Sequence, residues 1–455
     1  MHLDTISVIG LGKLGASMVA GMASRGLRVI GVDVSEQAVE AVNQGRAPVE
    51  ETDLDATIQA HAGNIRATMD YEDAVHNSNI SFVIVPTPSD ERGAFSLEYA
   101  AKSFAAIGKA LKTKNDYHVV VLTSTVLPGA TRYGLLPVLE KESGKKCGQD
   151  FGLCYNPEFI ALGSVIKNFL NPDFYLLGEF DARSGDVLAA VHTAVSANKA
   201  PIKRMTLENA EIAKIAVNSF VTLKISYANI LSSLCQQIPG ADVDVVSDAI
   251  GTDSRIGRKY LTGGLGFGGP CFPRDNTALA FIGRQFGLDM SILEVNDAYN
   301  RRNSYELLDK LQGHIPSSGK AAVLGLGYKP FSHIIEESIS ILLCKALHSK
   351  GYSVTGYDPL ANSAASRELG TACRIAGNIK ECLQNADIVF IATPDPEFIS
   401  LDAKQFRQTG KKVYVVDFWR VMTDKLANIP DIVYIAGGRW LGQEKNDFFK
   451  SLWKV

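Results

Sequence analysis

Thr5-Ile-Ser-Val-Ile-Gly10-Leu-Gly12-Lys-Leu-Gly15 and, twelve residues on, Leu27-Arg-Val-Ile-Gly-Val32-Asp33 decide the fold. Each begins as a short apolar run of the kind that forms a buried parallel strand, and Ala16 to Arg25 between them has the composition of a helix. Strand, glycine turn, helix, strand, acid is the layout of a dinucleotide-binding βαβ unit. The first glycine permits a tight turn, the second lets a pyrophosphate approach the backbone, and the third lets helix and strand pack closely. The first N–H groups of the helix then face the phosphate charge. Asp33 is placed to accept hydrogen bonds from a ribose diol and to repel a 2′-phosphate, which favours NAD over NADP. Gly10, Leu11, Gly12, Lys13, Leu14, Gly15 and Asp33 are therefore expected to hold NAD.

Working outward, Ile80-Ser-Phe-Val-Ile-Val-Pro86-Thr87-Pro88 and Tyr117-His-Val-Val-Val-Leu-Thr-Ser124-Thr125 read as further parallel strands with small hydroxyl residues at their ends. Ligands collect at such strand ends, so Pro86, Thr87, Pro88, Ser124 and Thr125 join the expected cofactor site. The C-terminal part repeats the grammar. Lys320 to Gly327 is strand then glycine, Ser338 to Ser349 a helix, Tyr352 to Asp358 strand then acid, and Ala386 to Pro394 parallels Asn79 to Pro88. The second glycine run, Gly325-Leu-Gly327-Tyr-Lys-Pro330, lacks the third glycine and makes a poor pyrophosphate cradle. Between the two halves, Thr206 to Gln237 carries apolar residues around a long helix that Pro239-Gly240 stops, with Val243 to Ile250 and Leu279 to Asn300 as further helices. The fold class expected is α/β, with two Rossmann-like doubly wound domains joined by a central helical domain containing one long helix. The boundaries expected are 1–203, 204–310 and 318–455.

Composition narrows the classes further. At 455 residues the chain exceeds one core, since domains run to about 150 residues. With 46% hydrophobic and 21% charged residues it is an ordinary globular sequence, and a net charge of −3 gives no reason to expect nucleic acid or an anionic membrane as partner. Seven cysteines, scattered, with no Cys-x-x-Cys pair and no zinc-type histidine spacing, fit a reducing compartment without a metal site. No apolar run approaches a membrane span and no basic-then-apolar leader is present, so a cytoplasmic protein is expected.

Three segments place polar groups where a core has no use for them. Lys214 and Asn218, four apart on the long helix, share one face among alanines and isoleucines. A buried ammonium is costly without a partner, so the pair reads either as functional or as a lysine snorkelling at the helix edge. Gly263-Gly-Leu-Gly-Phe-Gly-Gly-Pro-Cys271-Phe-Pro-Arg-Asp275 surrounds a cysteine with glycines, a setting that brings backbone N–H groups to a ligand and leaves a thiol accessible. Asn156-Pro-Glu158-Phe159 sets a carboxylate at a strand end, a place suited to a general base and equally to a solvated loop.

Taken together with Val85-Pro-Thr-Pro88, Ser124-Thr-Val126, Glu208-Asn-Ala-Glu-x-x-Lys214-x-x-x-Asn218 and Arg255-Ile-Gly257, these motifs resemble the UDP-glucose/GDP-mannose dehydrogenase family across nearly the whole chain. The cysteine loop most resembles the UDP-glucose 6-dehydrogenases within it. The resemblance implies a four-electron, NAD-dependent oxidation of the C6 primary alcohol of a nucleotide sugar to the uronic acid, through a thiohemiacetal and then a thioester on Cys271. It gives Lys214 and Asn218 the developing oxyanions, Asp275 and Thr125 a water, and Glu158 the proton movements of hydrolysis. Phe159, Ile160, Ala161, Leu162, Phe267, Gly268, Gly269, Tyr328, Lys329 and Arg420 are implied as substrate contacts. Arg255 is implied to reach across a homodimer interface to the sugar. The chain departs from the family at Leu162, where a second glutamate is usual, at Ile334 and Glu336, at Phe174, and at Trp419, where an arginine is usual and Arg420 follows. The open alternatives are another nucleotide sugar (GDP-mannose, a UDP-N-acetylhexosamine, a CDP- or dTDP-sugar), a two-electron β-hydroxyacid dehydrogenase, and a non-catalytic nucleotide-binding relative.

Overall fold

A computed structural model describes residues 5–160, 163–407, 410–442, 448 and 451–453. The chain divides into two compact units, Met1–Val217 with Phe281–Leu288, and Asn218–Ala280 with Asp289–Val455. The first is built on eight strands, β1 (Thr5–Ile9), β2 (Arg28–Val32), β3 (Ile65–Thr68), β4 (Ile80–Val83), β5 (His118–Leu122), β6 (Phe151–Tyr155), β7 (Tyr175–Glu179) and β8 (Ile202–Thr206), in the order β3-β2-β1-β4-β5-β6-β7-β8. All neighbours run parallel except β6 and β7. The order reverses between β1 and β4, and that switch point is where a doubly wound sheet opens its ligand crevice. Side-chain alternation along the strands buries both faces: Ile6 and Val8 enter one core while Ile9 enters the other, as Val119 and Val121 divide from Val120 and Leu122.

The second unit repeats the plan with β9 (Lys320–Leu324), β10 (Ser353–Tyr357), β11 (Arg374–Ile375), β12 (Ile388–Ile391), β13 (Val413–Asp417) and β14 (Ile432–Ala436), all parallel, in the order β11-β10-β9-β12-β13-β14. Its glycine turn is filled by the protein itself. Asp358 accepts from the Leu326 and Gly327 amides at 2.8 and 2.9 Å, and a Cβ at Gly327 would lie 2.7 Å from the Ser332 carbonyl. The helix after it starts only at Ile339, and its N-cap residue Ser338 donates to the Leu326 carbonyl within the turn at 2.8 Å.

The strands run shorter than the apolar pattern suggests, because β4 stops at Val83 ahead of Pro86 and Pro88, and prolines cannot donate to a ladder. The long helix spans Leu207–Cys235, 29 residues. The helical pattern expected over Leu279 to Asn300 is corrected to two helices, Phe272–Gln285 and Ser291–Tyr305. Gly287, at φ +72, turns the chain between them. No helix among the described residues is long and apolar enough to cross a membrane, and no cluster of metal-ligating side chains occurs among them.

Candidate active site

In the first unit the turn after β1 has the shape that a pyrophosphate requires. Gly10 sits at φ +99, and a Cβ there would collide with the Ile84 carbonyl; a Cβ at Gly15 would collide with the Gly10 carbonyl. Gly12 faces open space, with nothing within 4 Å of a Cβ built on it. It is the N-cap of the helix Lys13–Ser24 and supplies no side-chain hydrogen bond there. Asp33, at the end of β2, accepts from the Leu11 amide at 2.6 Å through one oxygen and from the Ser35 amide at 2.8 Å through the other. A carboxylate so fixed retains lone pairs for a ribose diol. The ends of β4 and β5 are stapled beside this turn. Ser124 exchanges hydrogen bonds with the Val85 backbone (2.9 Å in, 2.6 Å out), and Thr87 donates to the Thr125 carbonyl at 2.8 Å. The residues present fit NAD. Asp33→Ala should raise KM for NAD by about tenfold or more, the scale of one lost charge-assisted hydrogen bond, and narrow the preference over NADP. NADH and NADPH formation against cofactor concentration reads both.

The same unit brings Lys214 and Glu158 together. Lys214, only 7% exposed, donates through its ammonium to the Glu158 carbonyl at 2.7 Å and lies 4.5 Å over the Phe159 ring. Phe159 in turn packs on Phe174 at 5.2 Å between ring centres, so Phe174 is part of this apolar wall. Burial lifts the Glu158 carboxyl to about 8, with Lys214 pulling the other way, and Oε1 is enclosed without a hydrogen-bond partner among the described residues. Asn156 is structural: it donates to the Leu176 carbonyl and meets His192 Nε2 at 2.8 Å. Ile160 closes the described part of this segment, and the expected contacts Ala161 and Leu162 lie outside the described residues.

In the second unit Cys271 is exposed and stands immediately before the helix Phe272–Gln285. Asp275, expected in a loop, lies in the first turn of this helix and is 1% exposed. Asn218 donates to its Oδ2 at 2.6 Å, and Arg274 lies 3.4 Å from Oδ1. The Asn218 amide is thus tied to the carboxylate. Tyr328 packs on the loop, since a Cβ at Gly269 would lie 2.5 Å from its ring, and burial pushes its phenol up to about 12, with Cys271 contributing in the same direction. Lys329 reaches back to within 5.7 Å of the Tyr328 ring, and the Gly268 backbone is pressed against the Glu337 carbonyl. Arg255 projects outward, 86% exposed, and pairs with Asp253 at 2.6 Å.

The expectation for Arg420 is corrected. Its side chain is 1% exposed and donates to both Asp244 oxygens at 2.7 and 2.9 Å. It also donates to the carbonyls of Thr262, Gly263, Phe418 and Gly437 at 2.8 to 2.9 Å, so its donors are engaged within the protein rather than offered to a nucleotide. Trp419 donates to the Ala392 carbonyl and lays its ring against Gly264. Two residues that the sequence pattern did not single out hold the cysteine loop. Asn229 accepts from the Gly264 amide and donates to the Leu265 carbonyl, and Asn300 brackets Phe267 through both its N–H and its carbonyl. For Asn229 the signal is an amide on the buried side of a largely apolar helix; Asn300 sits in the polar helix Ser291–Tyr305, where no such contrast marks it.

Known proteins agree with this architecture. Three sequence profiles of the UDP-glucose/GDP-mannose dehydrogenase family match the chain: the NAD binding domain over residues 4–196, the central domain over 208–302 and the UDP binding domain over 322–424. The chain is 36% identical to UDP-glucose 6-dehydrogenase AglM of Haloferax volcanii over 92% of its own length and 97% of the relative's. It is 32% identical to GDP-mannose 6-dehydrogenase of Pseudomonas putida over 94% of this chain and 100% of that one. A UDP-glucose dehydrogenase structure from Pyrobaculum islandicum superposes with a TM-score of 0.83 at 32% identity, covering 96% of this chain and 98% of the other. With a dinucleotide turn, a duplicated doubly wound plan and a glycine-framed thiol all in the family's order, the chain belongs to the UDP-glucose/GDP-mannose dehydrogenase family.

Proposed function

We propose that this nucleotide-sugar dehydrogenase carries out a four-electron oxidation of the UDP-glucose 6-dehydrogenase type, taking C6 from primary alcohol to carboxylate. The observation that carries the reading is the exposed Cys271 thiol at a helix N-terminus, one turn from an Asp275 carboxylate held by Asn218. A two-electron oxidation has no use for that thiol. NAD, when bound, supplies the hydride acceptor. In balance, the hydroxymethyl group and one water become a carboxylate, with two hydrides and three protons released. Cys271 Sγ adds to the aldehyde carbon, and its bond to C6 breaks when water hydrolyses the thioester. The helix N-terminus favours negative charge on that sulfur. Asp275 orients the attacking water, Lys214 stabilises oxyanion charge, and Glu158 takes the proton that the water gives up.

The substrate named first rests on the 36% match to a UDP-glucose enzyme, against 32% to a GDP-mannose enzyme. A panel of UDP-, GDP-, CDP- and dTDP-sugars, read by NADH and by product mass, tests it. Two NADH per UDP-glucose with uronic acid as product is expected; a reproducible value of one sinks the four-electron reading, and no NADH with any sugar leaves a nucleotide-binding relative.

Glu158 gives this reaction a pH dependence. Its carboxyl is raised from 4.5 to about 8 by burial, so the base form appears only as pH passes that value. In the wild type kcat/KM should rise with unit slope toward about pH 8 and then level, and Glu158→Gln should flatten that limb. The linked effect on folding has the opposite sign. The folded state binds this proton more tightly than the unfolded chain, so its stabilising contribution is full below 4.5 and is lost as pH climbs through about 8. A pH series of kcat/KM beside a pH series of thermal melts separates the two.

The long helix supports a homodimer. Ile212, Phe220, Tyr227, Ile230 and Leu234 form one stripe at helical spacing, and each is 46 to 62% exposed. Arg255, projecting outward in its pair with Asp253, is then free to reach a sugar bound by the partner. Arg255→Ala should raise the KM for the nucleotide sugar by about tenfold while leaving that for NAD unchanged; an active monomer with the wild-type sugar KM contradicts it.

A further inference from the structure

The loop that ends in Cys271 is held by side chains along its backbone. Arg420 donates to the Thr262 and Gly263 carbonyls at 2.8 Å each, Asn229 bonds the Gly264 amide at 2.8 Å, and Asn300 bonds the Phe267 amide at 3.0 Å and its carbonyl at 2.9 Å. The two asparagines come from helices beside the loop. Arg420 comes from the chain just after β13, at the carboxyl edge of the second sheet, and such edges are where doubly wound sheets take ligands.

Three observations set Arg420 apart from ordinary packing. Its backbone lies at φ +61, a left-handed conformation uncommon for a non-glycine residue. Its guanidinium, 1% exposed, binds Asp244 through both oxygens, a planar fork that lysine cannot reproduce. Its remaining donors join elements far apart in sequence: the mouth of the cysteine loop, Phe418 after β13 and Gly437 after β14. Asp244 lies in the first turn of the helix Val243–Thr252, which is tied to the same sheet edge by Val243 N–H to the Gly438 carbonyl at 3.0 Å and by Arg439 to Asp242 at 2.6 Å. One guanidinium thus fastens a helix start, two strand ends and the loop entrance.

We propose that Arg420 is a positioning residue, which fixes the entrance of the Cys271 loop against the carboxyl edge of the second sheet so that a nucleotide seated at that edge and the thiol keep one registration. The role rests on the nucleotide-sugar oxidation proposed above, but its test is readable without turnover. The full-length chain and the variants Arg420→Lys and Asp244→Asn are treated with iodoacetamide, and the rate of Cys271 alkylation is followed by peptide mass, beside thermal melts and steady-state kinetics. Both variants should change the Cys271 alkylation rate by at least about threefold, a modest coupling between groups in one network. Arg420→Lys should lower kcat by about a hundredfold, the scale of a misplaced reacting group, with KM for NAD held. Folded variants with wild-type alkylation rates overturn the proposal, even if their melting temperatures fall, because a purely structural clamp moves stability alone. Should Arg420→Lys fail to fold, Asp244→Asn carries the test, since its carboxamide matches the carboxylate in shape and its side chain is 38% exposed. A wild type that oxidises no nucleotide sugar defeats the reaction, and the alkylation rates of the variants then decide for or against Arg420 on their own.

Discussion

Cys271→Ser should fold as the wild type does and yet lose acid formation by about a thousandfold or more, about 4 kcal/mol of barrier. The fold is spared because Cys271 is exposed and serine is itself a favoured residue before a helix. The chemistry is not spared. A thiolate is available near neutral pH and leaves readily, whereas a serine hydroxyl without an adjacent base is a poor nucleophile and its ester a slow leaving group. Oxidation should therefore stall at the aldehyde stage, with no more than about one NADH per site in a single-turnover experiment. Wild-type uronate production by the variant removes the cysteine from the mechanism and with it the four-electron scheme.

What could be read from residues alone divides along a physical line. The glycine turn and Asp33 were legible because the whole unit is local: Gly10, Gly12, Gly15 and the acid lie within 24 residues, and each has a steric or electrostatic reason visible in its type. The paired sheets were legible for a similar reason, since parallel strands buried on both faces write themselves as short apolar runs. Strand ends were blurred where hydrophobic residues continue past the assigned strand, as at Ile84 and Val85 after β4, where Ile84 still donates to the Ile9 carbonyl at 2.8 Å. The work of Arg420 was not legible. Its partners Asp244, Thr262 and Gly263 lie 157 to 176 positions away, and nothing in the local pattern tells a nucleotide-binding arginine from one engaged by carbonyls. Asn218 illustrates a partial reading. The helical spacing put it on the same face as Lys214, but the amide's own partner, Asp275, lies 57 residues on.

That pairing leaves Lys214 as the cation of its face, and Lys214→Ala should lower kcat by about a hundredfold to a thousandfold, the scale of one preorganised donor to a developing oxyanion. Lys214 is 7% exposed, so its charge acts in a poorly screened environment, and its ammonium meets the Glu158 carbonyl at 2.7 Å and the Phe159 ring at 4.5 Å. Removing it has a second, diagnostic effect. Burial raises the Glu158 carboxyl and Lys214 opposes that rise, so without the lysine the carboxyl titrates higher still. The rising limb of kcat/KM should move toward more alkaline pH in Lys214→Ala, while Lys214→Arg keeps the limb near its wild-type position but recovers little of kcat, because a planar fork does not place its charge where a point ammonium does. Charge and placement are thereby separated by one pair of variants. Wild-type kcat in Lys214→Ala refutes the oxyanion role, and an unmoved pH limb refutes the coupling to Glu158, each from the same set of rate profiles.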